Sequence, residues 1–254
     1  MPLFSIQNLT KRFGSFVAVN NVDLEIPETG ILSIIGPNGA GKTTLFNLLT
    51  GFFLPDAGRV IFKGQDITGQ PPYEIIKHGI SRSFQITSLF QEMTVLDNVR
   101  IGIQSHLGDK FKLFLNFQEN RRVKQEALNI LDRVKLVDNR MSLVTAISHG
   151  DRKILDLALA LTTDPSVLLL DEPMSGLSIQ ERGKITRLIC DDFAKNMKLI
   201  IVEHDMDVVF SISDEILVLN QGRVLVRGAP AEISRNQAVQ EAYLGGEKCL
   251  AEIK

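Results

Sequence analysis

The chain has 254 residues, of which 44% are hydrophobic and 23% charged. Those proportions allow a sizeable buried core and exclude a disordered or fibrous chain. A formal net charge of -2 supplies no broad cationic field for nucleic acid, and the two cysteines, Cys190 and Cys249, are too few and too far apart for a disulfide framework or a thiolate metal cluster.

The opening MPLFSIQNLTKRFG has no charged start leading into an apolar run, so a secretory leader is not expected. Nor does any apolar stretch reach the roughly 18 residues needed to cross a bilayer, so a membrane role would need spanning segments from a partner. Short strand-like runs follow at Leu3–Leu9, Val22–Ile26, Ile31–Ile35 and Arg59–Lys63, punctuated by Gly30, Pro55–Gly58 and Gly64. A helix is predicted from Lys42 to just before Gly51.

From Pro71 to Thr162 helical signals dominate. Thr94 with Asp97 three residues on reads as a capping box opening a helix at Val95. The stretch from Ile103 to Gln118 is apolar without helical periodicity and reads as an insertion or loop. Glu119–Val134 regains the helical period, with Val123, Leu128, Leu131 and Val134 on one face. Ser148 and Asp151 form another capping-box pattern, ahead of a helix through Leu155 and Leu159.

The last third alternates again. Val167–Leu170 and Lys198–Val202 are short apolar runs of the kind found in buried parallel strands, and Ser178 with Glu181 caps a helix between them. Ile216–Leu219, Gln221–Gly222 and Arg223–Val226 read as a hairpin. No repeat or Gly/Ser linker divides the chain. It reads as one α/β unit: a strand-rich core over about 1–85 and 163–235, a helical lobe over 86–162 inserted into it, and a tail over 236–254.

Two segments carry chemistry. GPNGAGKT at residues 36–43 matches the phosphate-loop pattern, with an apolar strand before it and a helix after it. Gly36, Gly39 and Gly41 let successive N–H groups turn to one point. The following helix start adds its dipole, Lys42 supplies a cation for terminal phosphates, and the Thr43 hydroxyl suits Mg2+. Pro37, Asn38, Ala40 and Thr44 complete the loop and its exit. VLLLDEP at Val167–Pro173 ends a buried strand in two carboxylates: Asp171 is placed to hold Mg2+ through water, and Glu172 to act on the attacking water as a general base. By themselves these motifs do not choose among kinases, GTPases and transport ATPases.

Taken in order, the motifs resemble those of the ABC-transporter ATPase family along nearly the whole chain. GPNGAGKTT and LLLDEP resemble its Walker A and Walker B motifs, and ISHGDRK at Ile147–Lys153 its signature sequence. The resemblance implies an ABC-type P-loop NTPase domain with an antiparallel β subdomain and an inserted α-helical subdomain. It implies that Phe13 in KRFG stacks on adenine and that Gln85 in SRSFQ touches Mg2+ and senses a permease. It also implies that Ser148 and Gly150 face the ATP held by a second ATPase subunit, and that His204 in VEHD orients the γ-phosphate. ATP and Mg2+ are the implied ligands, with Glu172, His204 and Lys42 as the catalytic set.

This sequence departs from the family's pattern at His149, where the signature has glycine, at Asp151, where it has glutamine, and at Ser178, where the D-loop has aspartate. Asp151 adds negative charge near the phosphate position, or turns back onto the Ser148 backbone N–H. Length, the insertion after EMTVLDNVRIG, the phrase VEHDMDVVFSISDEILVLNQG and the ending EAYLG resemble the branched-chain amino acid importer ATPases. Related ATPases serving urea or amide uptake, or lipopolysaccharide export, share several of these cues. So read, the chain would sit at the cytoplasmic face of the membrane. It would pair with a second ATPase subunit, as homo- or heterodimer, and with transmembrane permease subunits. A periplasmic or extracellular substrate-binding protein would act on it indirectly, and nucleic acid would not be a partner.

Overall fold

The computed structural model describes residues 1–83, 89–107 and 121–244. The chain opens with two long strands, β1 (Phe4–Phe13) and β2 (Phe16–Ile26), joined as a hairpin, then β3 (Ile31–Ile35) and α1 (Lys42–Leu49). β4 (Ala57–Phe62), β5 (Gln65–Asp66), α2 (Pro72–Lys77) and β6 (Ile80–Arg82) follow. The helices α3 (Val95–Leu107), α4 (Arg121–Arg133) and α5 (His149–Leu161) come next. The final third runs β7 (Val167–Asp171), α6 (Ile179–Leu188), a π turn (Ile189–Phe193), α7 (Ala194–Asn196), β8 (Lys198–Val202), α8 (Met206–Ile212), β9 (Glu215–Asn220), β10 (Arg223–Gly228), α9 (Pro230–Ile233) and α10 (Gln237–Leu244).

These strands form two sheets. A four-stranded antiparallel sheet has the order β2-β1-β4-β5, and a six-stranded sheet has the order β10-β9-β3-β8-β7-β6. β3, β7 and β8 are buried at every position, which is what a parallel strand covered on both faces requires. The period of two divides β7 between cores. Val167 and Leu169 pack with α1 and the antiparallel sheet, whereas Leu168 and Leu170 pack with α3, α4, α5 and α6. A third cluster sets α8, α9 and α10 on Ile35, Ile216 and Val218.

Several expected elements form where the sequence places them. Helix α1 ends ahead of Gly51, whose φ of 74° is the left-handed stop that glycine supplies. Thr94 Oγ1 accepts from Asp97 N–H at 3.1 Å and opens α3 at Val95. The β9–β10 turn uses Gln221 (φ 49°) and Gly222 (φ 76°), the paired left-handed geometry of a tight hairpin.

Other expectations need correction. β1 and β2 run well beyond Leu3–Leu9 and Val22–Ile26, because register shifts and a left-handed Asn8 (φ 49°) carry the hairpin through polar residues that break simple alternation. Residues 103–107 continue α3 instead of starting a loop, and the rest of that stretch lies outside the described residues. In α4 the buried positions are Val123, Ala127 and Leu131; Leu128 is half-buried, and Val134 packs in the core one residue past the helix end. The helix-rich region also contains β6, too short to show a period, which pairs with β7 at the sheet edge.

Candidate active site

Sheet order brings three loops to one place. β3, β8 and β7 are consecutive parallel neighbours, so residues 36–41, the Asp171–Glu172 turn and Glu203–His204 all leave the same carboxyl edge. In open α/β sheets that edge is where ligands bind.

The phosphate loop is held by backbone. A Cβ at Gly36 (φ 153°) would overlap the Leu219 carbonyl oxygen, and one at Gly41 (φ 101°) the Ala18 carbonyl oxygen, so neither position admits a side chain. Ala40 is buried; its N–H donates to the Pro37 carbonyl (3.1 Å) and its carbonyl accepts from Gly222 N–H (3.0 Å). The β9–β10 turn therefore braces the loop, a role nothing in the hairpin's own sequence signals. Pro37 is half-buried, whereas Asn38 and Gly39 are exposed.

Helix α1 starts at this loop with no side-chain cap and no acidic residue in its first turn. Its first N–H groups and the positive end of its dipole are thus open to an anion. Lys42 Nζ donates to the Gly36 carbonyl at 2.6 Å and the Pro37 carbonyl at 3.1 Å. Burial lowers the Lys42 pKa, while the nearby carboxylates of Glu172 and Asp171 raise it. Thr43 is exposed and Thr44 half-buried.

Asp171 is 1% exposed. Its Oδ2 accepts from Arg82 Nη2 at 2.6 Å, and its Oδ1 is buried with no protein partner. A buried carboxylate oxygen left unmatched is costly, and a hydrated divalent cation is a fitting partner for it, with the exposed Thr43 hydroxyl as a second oxygen donor. Among the described residues no group of three or more His, Cys, Asp or Glu forms a cage. Mg2+ here would therefore keep waters and phosphate oxygens among its ligands.

Glu172 adopts φ 48°, a left-handed conformation that costs a non-glycine residue about 1–2 kcal/mol. Its N–H is fixed by the Val202 carbonyl (2.9 Å), and its Oε1 lies 2.9 Å from His204 Nε2. Both side chains stay partly exposed, 28% and 46%. The strained turn thus brings the Glu172 carboxylate against the imidazole of His204, which leaves β8, at the open edge of the sheet.

Two residues essential to this arrangement were not singled out from the sequence. Glu203 is 4% exposed; it accepts from Met174 N–H (2.8 Å) and His204 N–H (3.1 Å) and so ties the two loops together. Burial pushes its carboxyl pKa up, against the backbone donors that pull it down. Arg82 bridges Asp171 and Asn47 (2.5 Å), its guanidinium 5.7 Å from the ring centroids of Phe46 and Phe52. An acid directly after an apolar strand, and an arginine shortly before SFQ, were the available signals.

The remaining expected residues fall into three groups. Phe13 is 46% exposed at the β1–β2 turn, edge-on to Phe53 at 5.4 Å, and so is surface, not core. Gln85 lies outside the described residues. Ser148 and Gly150 stand at the start of α5, and no hydrogen bond among the described residues joins them to the phosphate loop. Ser148 Oγ accepts from Asp151 N–H (3.1 Å), but the reciprocal bond of a capping box does not form. Gly150 N–H instead donates to Glu181 Oε1 at 2.9 Å. Glu181 also completes a full capping box with Ser178, and these donors hold its carboxyl below the usual range.

Comparison with known proteins shows the family. Residues 19–175 match the ABC transporter family model, and residues 223–248 match one described as a branched-chain amino acid ATP-binding cassette transporter. The chain is 40% identical over 250 residues to the high-affinity branched-chain amino acid transport ATP-binding protein LivG of Escherichia coli K12, covering 96% of this chain and 98% of that one. It is 39% identical, with the same coverage, to the high-affinity branched-chain amino acid transport ATP-binding protein BraF of Pseudomonas aeruginosa. Among solved structures it resembles the ADP conformation of MJ1267, an ATP-binding cassette of an ABC transporter, with a TM-score of 0.86 at 30% identity over 97% of this chain and 100% of that chain. With one family model matched over more than half its length and relatives aligned nearly end to end, the chain belongs to the ABC transporter family as one of its ATP-binding cassettes, in the branched-chain amino acid group.

Proposed function

We propose that the chain is the ATP-hydrolysing subunit of a branched-chain amino acid importer, held by permease subunits at the cytoplasmic face of the membrane. The observation that carries the reading is the convergence, at one sheet edge, of an uncapped helix start, a folded-back lysine and the Asp171–Glu172–His204 set. In this role residues 36–44 cradle the ATP phosphates and Lys42 swings from the loop carbonyls to the terminal phosphate. Glu172 takes the proton of the attacking water, while His204 holds that carboxylate and meets the γ-phosphate. Thr43, Asp171 and Gln85 would hold Mg2+, which when bound offsets the charge of the phosphate chain. Phe13 offers an exposed ring for adenine.

Ser148 and Gly150 would complete the site of a second ATPase subunit, so that ATP binding draws two cassettes together and hydrolysis releases them. Residues 1–85 and 163–235 would act as the catalytic core and 86–162 as the lobe that reads the permease. A groove of about 210 Å3 between α2, β6 and α5, lined by Phe52, Ile75, Ile76, Arg82 and Leu159, supports a permease dock there. No helix among the described residues is long and apolar enough to cross a membrane, so the spanning path belongs to the partner. A substrate-binding protein outside the membrane would then choose the amino acid.

The test is uptake by vesicles carrying the chain with its permease and binding protein. ATP-dependent entry of leucine, isoleucine or valine is expected. ATP hydrolysis without entry of any of the three would reject the substrate.

A further inference from the structure

A cavity of about 750 Å3 opens where the end of α4, the first turns of α5 and the α6–α7 segment meet. That volume lies in the usual range for small-molecule sites. Three observations separate it from a merely solvated seam.

Its charges are of both signs and mostly unspent. Among the described residues, Lys135, Lys184, Arg187, Asp151 and Asp191 line the cavity and none of them makes a salt bridge. Arg133 is different. Its Nε donates to both oxygens of Asp192 at 2.8 Å, yet its Nη2 is buried with no acceptor. That nitrogen is closed off from the cavity and the guanidinium lies 5.7 Å from the Phe193 ring centroid, so the Arg133–Asp192 pair is a fixed piece of the wall and leaves the other charges free for a ligand. Finally, one wall is irregular by construction: the π turn Ile189–Phe193 interrupts the run from α6 to α7 and carries Asp191 and Asp192. Single π turns within helices recur at functional sites. Val134, Ile154 and Leu188 supply an apolar lining beneath these charges.

We propose that this cavity binds a small zwitterion with an aliphatic tail, an α-amino acid. The carboxylate goes to Arg187 and Lys184, the ammonium to Asp151 and Asp191, and the tail to Val134, Ile154 and Leu188. Because Asp151 stands in the first turn of α5 and Asp191 just beyond α6, such a ligand clamps the start of α5 to its own core, reinforcing the Gly150–Glu181 bond. On the transport reading above, the ligand has the chemistry of the imported product, and the cavity is where accumulated product restrains the cassette. Binding itself does not depend on that reading.

Calorimetry of the full chain with L-leucine tests this, with 4-methylpentanoate (no ammonium), 3-methylbutylamine (no carboxylate) and glycine (no tail) as comparators. Mg-ATP binding is measured on the same sample, so a failure of the transport reading shows separately. Leucine should bind, each comparator at least ten-fold more weakly. Lys184→Glu and Arg187→Glu, both on the surface of α6, should each weaken leucine at least ten-fold and leave Mg-ATP affinity unchanged; the neutral double variant Lys184→Gln with Arg187→Gln should weaken it likewise. No leucine heat from a chain that still binds Mg-ATP would overturn the proposal. So would leucine binding that all these variants leave intact, or a comparator that binds as tightly as leucine.

Discussion

The phosphate loop and the start of α5 are both glycine-containing helix starts, yet they are in opposite states. At the first, α1 begins with no cap and no acid, and the loop's own polar groups are braced from behind by the β9–β10 turn. Its donors are ready for an anion. At the second, Ser148 caps the helix and Glu181 already accepts the Gly150 N–H. One side is preorganised for phosphate; the other is occupied by a carboxylate of its own chain. On the proposed reading, a cassette built this way would hold nucleotide alone and would have to exchange an internal hydrogen bond before the phosphate held by a second ATPase subunit could reach Gly150.

The largest expected effect breaks the first side at its chemistry. Glu172→Gln keeps the loop and the Val202 contact but removes the base, so phosphate release should fall by about 100-fold or more while ATP affinity holds. Unchanged turnover would remove Glu172 from its role. Lys42→Ala deletes one charged donor, together with its bonds to the Gly36 and Pro37 carbonyls, and keeps the loop's own N–H groups. ATP affinity should drop by roughly 10- to 100-fold, as loss of a charge-assisted bond does; undiminished affinity in a nucleotide titration would contradict the cradle.

The second side can be probed through the helix that carries it. Asp156 on α5 is 4% exposed with Oδ2 unpartnered, and burial raises its pKa from 3.8 to about 6, against the opposing charge of Lys153. Its folded value exceeds its unfolded one, so the native state holds the extra proton between those values. Stability therefore falls as pH rises through that window and the penalty is complete above it. Asp156→Asn should remove that slope and stabilise the chain at pH 8 by something on the order of 2 kcal/mol, read from urea midpoints at pH 5 and pH 8. Parallel midpoints for wild type and variant would exclude the carboxyl as the cause.

The smallest effect concerns the occupied donor itself. Glu181→Ala should lower stability slightly through the lost reciprocal bond of the α6 capping box, and yet favour ATP-driven association by freeing Gly150 N–H. Weaker association in sedimentation would show that Glu181 supports the pairing surface instead of competing with it.

The contrast between the two sides also marks what a sequence can reveal. The phosphate loop was legible because each of its residues answers a local demand: a left-handed turn, a cation, a hydroxyl. The Ser178–Glu181 box was legible for the same reason, whereas Ser148–Asp151 forms only half its box, and the neighbouring Gly150 N–H bonds to Glu181, 31 residues away. Arg82 on Asp171, Glu203 between two loops and Gly222 behind Ala40 were not legible, since each acts across 29 or more residues through strand order. β1 and β2 were underestimated because bulges shift their alternation. Tyr243 belongs with these: it lies in the matched C-terminal segment and packs against the cluster of Ile35, Ile216 and Val218, which sets α10 beside the strand that leads into the phosphate loop, and burial pushes its phenol up.

The most direct test of the account is sedimentation of the Glu172→Gln chain with and without Mg-ATP. Run alone and with the second ATPase subunit of its transporter, the chain should pass from monomer to a stable dimer, with itself or with that subunit, when Mg-ATP is added and revert when nucleotide is removed. A chain that binds Mg-ATP yet pairs with neither, or one that binds no Mg-ATP at all, would be the contradicting result.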